Sequence, residues 1–124
     1  MPKRAKDEPI RCAIESVIDV IGGRWKCVVL FHLRDGKKRF GELHRLLPNV
    51  TQRMLTLSLR ELEADGLVER TVYAEVPPRV EYALTTWGKS LEPTLAAMRE
   101  WGDRYKRRLD AISDSTARRA SGGA

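Results

Sequence analysis

Arg53 and Arg60 lie seven residues apart, with Gln52 beside the first and Thr56 and Leu57 between them. At about 100° per residue, Arg53, Thr56, Leu57 and Arg60 cluster on one side of a helix. Each guanidinium fork can clasp a guanine edge through two hydrogen bonds, and a glutamine amide matches adenine. A threonine or leucine methyl can pack against the methyl of thymine. Side chains of these types at this spacing make a surface able to read base edges. Gln52, Arg53 and Thr56 stand nearest the helix start, which normally reaches deepest.

The neighbouring charge favours the same partner. Between Lys37 and Arg60 the chain carries six basic residues (Lys37, Lys38, Arg39, Arg45, Arg53, Arg60) against one acid, Glu42. The acids gather afterwards, at Glu61, Glu63, Asp65 and Glu69. Lys37, Lys38 and Arg39 read as a basic loop, and Arg79 follows Pro77-Pro78 at the tip of a hairpin. The two prolines stiffen that tip, which lowers the entropy lost when Arg79 meets a phosphate. Thr51 opens the helix, where free backbone N–H groups and the helix dipole attract an anion. Thr51, Lys37, Lys38, Arg39 and Arg79 are therefore the candidate backbone contacts. A net charge of +6 and a pI near 9.7 suit a polyanionic partner, and with this helix face the partner expected is double-stranded DNA.

Other chemistries find little support. His32 and His44, with Cys12 and Cys27, lack the close paired spacing of a metal site. Gly22-Gly23-Arg24 is too short for a phosphate loop, and no Gly-x-Ser-x-Gly occurs. We expect no enzyme, no cofactor and no metal. Cys27 sits among Trp25, Val28, Val29 and Leu30 and reads as a small core residue. Cys12 precedes the first helix and reads as more exposed, either an inert surface thiol or a sensor. The longest apolar run, Cys27–Phe31, is far short of the ~20 residues that cross a bilayer, and the N-terminus has no secretory pattern. A cytoplasmic location and no membrane partner follow.

The elements that must position these residues can be read in order. Ile14, Val17, Ile18 and Ile21 keep helical spacing over Ala13–Ile21, which Gly22-Gly23 ends. Trp25–Leu33 is apolar almost all round, the pattern of a buried helix. Phe40–Leu47 forms a third helix that must stop before Pro48. The fourth, Thr51–Ala64, turns Met54, Leu55, Ser58, Leu59 and Leu62 inward and stops at Asp65-Gly66. Thr51 or Asn49 caps it. Two alternating strands follow: Val68, Val72, Ala74 and Val76 on one, Val80, Tyr82 and Leu84 on the other. Trp87–Ile112 is a last helix with Pro93 in its second turn or at a kink. Its stripe of Leu91, Leu95, Met98, Trp101, Tyr105, Leu109 and Ile112 outruns a compact core and calls for a partner surface. His32 is expected at the edge of the buried helix and His44 on the exposed side of the third.

This is a mainly α (α+β) chain: a winged helix-turn-helix with a two-stranded β wing and terminal dimerisation helices. Residues 1–9 are expected to be a mobile tail, 10–112 the domain and 113–124 a disordered tail. The function expected is sequence-specific DNA binding by a regulator. The competing reading is a winged-helix protein–protein interaction module whose basic face docks on an acidic partner. RNA binding is weaker, because no row of exposed aromatics is evident for base stacking.

The chain also resembles the HxlR-type winged-helix transcription regulators from Cys12 to about Trp101. The resemblance rests on Cys12 with Ile14-Glu15, Ile21-Gly22-Gly23-Arg24-Trp25-Lys26, Arg39-Phe40-Gly41-Glu42-Leu43 and Thr51-Gln52-Arg53-Met54-Leu55-Thr56. It continues through Leu59–Val68 and Val76–Thr85. It implies a homodimer joined through the first and last helices, here Ile14, Ile18, Leu95, Met98, Trp101, Tyr105 and Leu109. It further implies a cytoplasmic regulator, often a repressor, binding a palindromic operator. Some members respond to an oxidant or electrophile, a small-molecule effector, through a cysteine where Cys12 stands. The family often has proline next, where this chain has Ala13.

Overall fold

The computed structural model describes residues 12–122, with side chains through residue 120. The mobile tail expected for residues 1–9 lies outside the described residues. In chain order come α1 (Ala13–Ile21), α2 (Lys26–Leu33), β1 (Lys38–Arg39), α3 (Phe40–Leu46) and α4 (Gln52–Ala64). Then follow β2 (Val68–Tyr73), β3 (Arg79–Leu84), α5 (Thr86–Lys89) and α6 (Glu92–Gly122). The chain divides into two compact units, one ending at Glu92 and the other beginning at Pro93.

In the first unit, α2, α3 and α4 close around Val29, Leu30, Leu33, Leu43, Leu55, Leu59 and Leu62, all buried. Removing such side chains from water stabilises the unit by ~1.5–3 kcal/mol each. Lys26 Nζ reaches Glu61 Oε2 at 2.7 Å and ties the start of α2 to α4. The α3–α4 turn is held by Val50, which is buried, and by His44, whose Nε2–H donates to the Val50 carbonyl at 2.9 Å. His44 was expected on the exposed side of its helix. It instead turns back to satisfy a carbonyl that the turn leaves without a helical partner.

The sheet has three strands in the order β1-β3-β2, all antiparallel. The wing hairpin pairs Val68 with Leu84 through to Tyr73 with Arg79. The third strand corrects the basic loop expected at Lys37–Arg39: Lys38 pairs with Tyr82 and Arg39 with Glu81. Two residues carry no detectable alternation, and pairing to β3 supplies the backbone partners that define them as strand.

At the other end of the hairpin, Gly66 takes φ +77°, the left-handed turn that the Asp65-Gly66 stop requires. Thr85 closes this corner. Its hydroxyl donates to the Gly66 carbonyl at 2.6 Å and accepts from the Gly88 N–H at 3.0 Å, capping α5. A Cβ on Gly88 would stand 2.1 Å from the Leu67 carbonyl oxygen, so only glycine fits there.

The second unit is α6. The single helix expected over Trp87–Ile112 is instead α5 and α6, separated at Ser90-Leu91. Pro93 lies in the first turn of α6, where a missing N–H breaks no helical bond. The helix also continues to Gly122, through the segment expected to be a disordered tail. Ala117, Arg118, Arg119 and Ala120 are strong helix formers, and no breaker intervenes before the glycines. Among the described residues no helix is long and apolar enough to cross a membrane.

Candidate nucleic-acid interface

The exposed side of α4 gathers the residues singled out by type and spacing. Gln52, Arg53, Thr56, Leu57 and Arg60 together line one open concavity. Its back is locked: Leu55, Ser58, Leu59 and Leu62 are buried. Met54, expected to pack inward with them, is 41 % exposed. It stands about 100° from Leu55, at the margin of the buried face, and no neighbouring element covers it. Thr51 is the N-cap, its hydroxyl accepting from the Met54 N–H at 3.1 Å, so the cap is Thr51 rather than Asn49. Thr56 donates its hydroxyl to the Gln52 carbonyl at 2.8 Å. That bond occupies its hydroxyl hydrogen, and its methyl is the group suited to an apolar base contact.

No described acid forms an ion pair with Arg53 or Arg60. Arg60 also borders a smaller niche of about 160 Å³ with Thr56, Leu59, Glu63, Arg70 and Tyr82. There Arg70 Nε meets Glu63 Oε2 at 3.4 Å. Partial burial pushes the Tyr82 phenol up from its ordinary value.

The wing is arranged differently. Arg79 lies over the Tyr73 ring at 4.1 Å, and its Nη2 is 3.2 Å from Glu75 Oε1. Lys37 Nζ is 3.5 Å from Glu81 Oε1. Desolvation pushes the Glu81 carboxyl up, but the Tyr73 hydrogen bond and the charges of Lys37 and Arg79 outweigh it, so the group titrates below its usual range. Two of the five candidate backbone contacts, Lys37 and Arg79, are thus already engaged by acids of the wing. Lys38 is half-buried in β1, and Arg39 is exposed with its N–H donating to Glu42 Oε1 at 2.9 Å. Sequence reasoning missed Tyr73, Glu75 and Glu81. The hairpin register held the signal, because it sets Tyr73 directly opposite Arg79 and Thr71 opposite Glu81.

The two cysteines differ in access. Cys12 is exposed at the N-cap of α1. Cys27 is half-buried, its thiol donates to the Ile21 carbonyl at 3.2 Å, and burial pushes its pKa up. A thiol held in that way is a poor nucleophile.

The residues assigned to the dimer seam separate into two sets. Ile14 and Ile18 on α1, and Met98, Trp101, Tyr105 and Leu109 on α6, are exposed, with Trp101 and Tyr105 stacked at 5.3 Å. Leu95, on the same helical face, is buried in the single chain.

A helix-turn-helix whose second helix is apolar behind and polar in front, flanked by a β wing, defines the winged-helix class of nucleic-acid-binding proteins. The HxlR-like helix-turn-helix family profile matches residues 20–110. The chain is 55 % identical over 101 residues to the uncharacterized HTH-type transcriptional regulator YdeP of Bacillus subtilis, covering 82 % of this chain and 79 % of YdeP. The reduced form of the redox regulator HypR is similar at 54 % identity and TM-score 0.77, over 81 % of this chain and 99 % of that one. Quinone-bound YodB from B. subtilis is similar at 35 % identity and TM-score 0.63, over 74 % and 97 %. The chain belongs to the HxlR-like helix-turn-helix family, and it is a transcriptional regulator, not an enzyme.

Proposed function

We propose that the protein is a homodimeric repressor that binds a palindromic operator in the cytoplasm and is released by oxidation or alkylation of Cys12. The observation that carries the DNA reading is the face of α4, where Gln52, Arg53, Thr56, Leu57 and Arg60 share one surface with both guanidinium groups unpaired by any described acid. Arg53 and Gln52 read bases in the major groove, and Arg39, Lys38 and the N-terminus of α4 hold the backbone. Exposed apolar side chains on α1 and α6 support the dimer. Glu15 borders the apolar stripe of α1, and Arg104, Lys106 and Arg108 border that of α6, so opposite charge lies beside the two apolar faces, which favours a seam between α1 of one copy and α6 of another. A two-fold axis then spaces two recognition helices by about one helical turn of DNA, ~34 Å.

The effector reading draws on the access of Cys12 against Cys27 and on the similarity to HypR, a redox regulator, and to quinone-bound YodB. Selection of bound duplexes from a random pool, with and without a mild thiol oxidant, tests both parts. An enriched palindrome that is lost on oxidation and retained on oxidation of Cys12→Ser supports the whole reading. Loss in Cys12→Ser as well would remove Cys12 as the sensor. Absence of any enriched duplex would favour the protein–protein module. Trp101→Asp with Tyr105→Asp should sediment as a monomer, and a surviving dimer would exclude the α6 seam.

A further inference from the structure

We infer that Glu75 sets the sequence discrimination of this regulator by holding the wing arginine back from indiscriminate phosphate contact. The inference rests on the DNA-binding reading above and concerns a residue to which that reading gives no role. Arg79 begins β3 at the tip of the hairpin, directly opposite Tyr73. Its guanidinium is held on two sides, by the Tyr73 ring at 4.1 Å and by the Glu75 carboxylate at 3.2 Å. Only 30 % of its side chain is exposed. Its Nε is buried and, among the described residues, has no hydrogen-bond partner. The arginine is therefore both restrained and incompletely satisfied, the condition of a group that exchanges one anion for another.

Glu75 and a phosphate oxygen compete for the same guanidinium edge. A loosely bound, non-operator complex is held almost wholly by cations on phosphates. In that complex a mobile arginine would find a phosphate in nearly any orientation, raising affinity for every sequence alike. Glu75 is half-exposed, so solvent weakens the pair and displacement stays feasible. On an operator, base contacts by α4 fix the duplex against the wing, and the oriented phosphate or groove edge displaces the carboxylate. On other sequences nothing fixes that geometry, and Arg79 stays with Glu75. Glu81 also acts on Arg79 through its charge, but no described hydrogen bond or ion-pair contact joins the two. Glu75 is therefore the carboxylate in contact with the guanidinium, and the charge of Glu81 is unaltered in Glu75→Gln.

Glu75→Gln removes the competing charge at an exposed site with little change in shape. Binding of wild type, Glu75→Gln and Glu75→Gln/Arg79→Ala is measured across a salt series, on the selected duplex and on scrambled duplexes. In Glu75→Gln, affinity for scrambled duplexes should rise about two- to fivefold per subunit, the range of an exposed ion pair. The salt slope on those duplexes should steepen by about 0.9 per subunit, one added phosphate contact. Affinity for the selected duplex should rise less, so discrimination falls, and the added Arg79→Ala should cancel the gain. Unchanged affinity and slope on scrambled duplexes would overturn the inference. So would a gain that persists without Arg79, or a loss of affinity for the selected duplex. If wild type prefers no duplex at all, the DNA-binding reading fails instead, and wild type alone reveals that outcome.

Discussion

The recognition helix and the wing both present arginine, yet they hold it in opposite ways. On α4, Arg53 and Arg60 project from a helix whose other side is buried, and no described acid pairs with them. On the wing, Arg79 and Lys37 are matched by Glu75 and Glu81, and Tyr73 touches both acid–base pairs through its ring and hydroxyl. Counting basic residues would rank the two regions alike. The distribution of acids separates them: one surface is prepared to meet bases, the other contacts an anion only by exchange. Orientation comes from different sources too, since helix packing sets the direction of Arg53 whereas local charge sets that of Arg79.

The comparison can be broken most severely at its foundation. Leu59 is buried at the back of α4, and Leu59→Ala should cost about 2–5 kcal/mol in chemical denaturation. A cost below 1 kcal/mol would mean that the helix is not anchored through that face. Next, Arg53→Ala should cost about 1–3 kcal/mol at one operator position and relax the preference there. A uniform loss on every duplex would move Arg53 from base reading to the backbone. Thr51→Ala should lower stability by about 1 kcal/mol through loss of the Met54 N–H acceptor, with Thr51→Ser restoring most of it.

Smaller effects belong to the wing. Arg79→Ala should weaken the selected duplex by under about 1 kcal/mol and leave scrambled duplexes nearly unchanged, because only on the selected duplex does the arginine give up Glu75. A loss as large as that of Arg53→Ala, and tied to one base position, would erase the distinction between the regions. Glu81 carries the pH dependence. Its folded pKa lies below the unfolded value, so its stabilising contribution is complete above about pH 4.5 and fades as pH falls through the folded pKa. Thermal melts of wild type and Glu81→Gln should differ by a constant amount from pH 7 to about 5 and converge on acidification. A gap that widened toward low pH would reverse the assignment.

Much of this was legible beforehand, for identifiable reasons. The α3–turn–α4 unit was readable because proline, glycine and a capping hydroxyl act within a few residues of where they stand. The concavity on α4 was readable because helical periodicity fixes which side chains share a face. The wing network was not, since Tyr73, Glu75, Arg79 and Glu81 come together only through cross-strand register. Leu95 and Met98 belong to one stripe and differ in burial, a difference no periodicity encodes. Met54 likewise lies at a margin where only the presence or absence of a neighbouring element decides. The extension of α6 to Gly122 is open to the sequence, since its alanines and arginines favour helix up to the terminal glycines.

Local rules therefore determined the helix-turn-helix, the stop at Asp65-Gly66, the hairpin and the base-reading face, because caps, breakers and the 3.6-residue repeat operate over one or two turns. Tertiary structure alone decided the third strand and the pairing of Arg79 with Glu75 over Tyr73. Each of these depends on which surface arrives opposite a residue from elsewhere in the chain. Burial, strand pairing and charge neutralisation are properties of such neighbours, and they exist only once the backbone has brought them within a few ångströms.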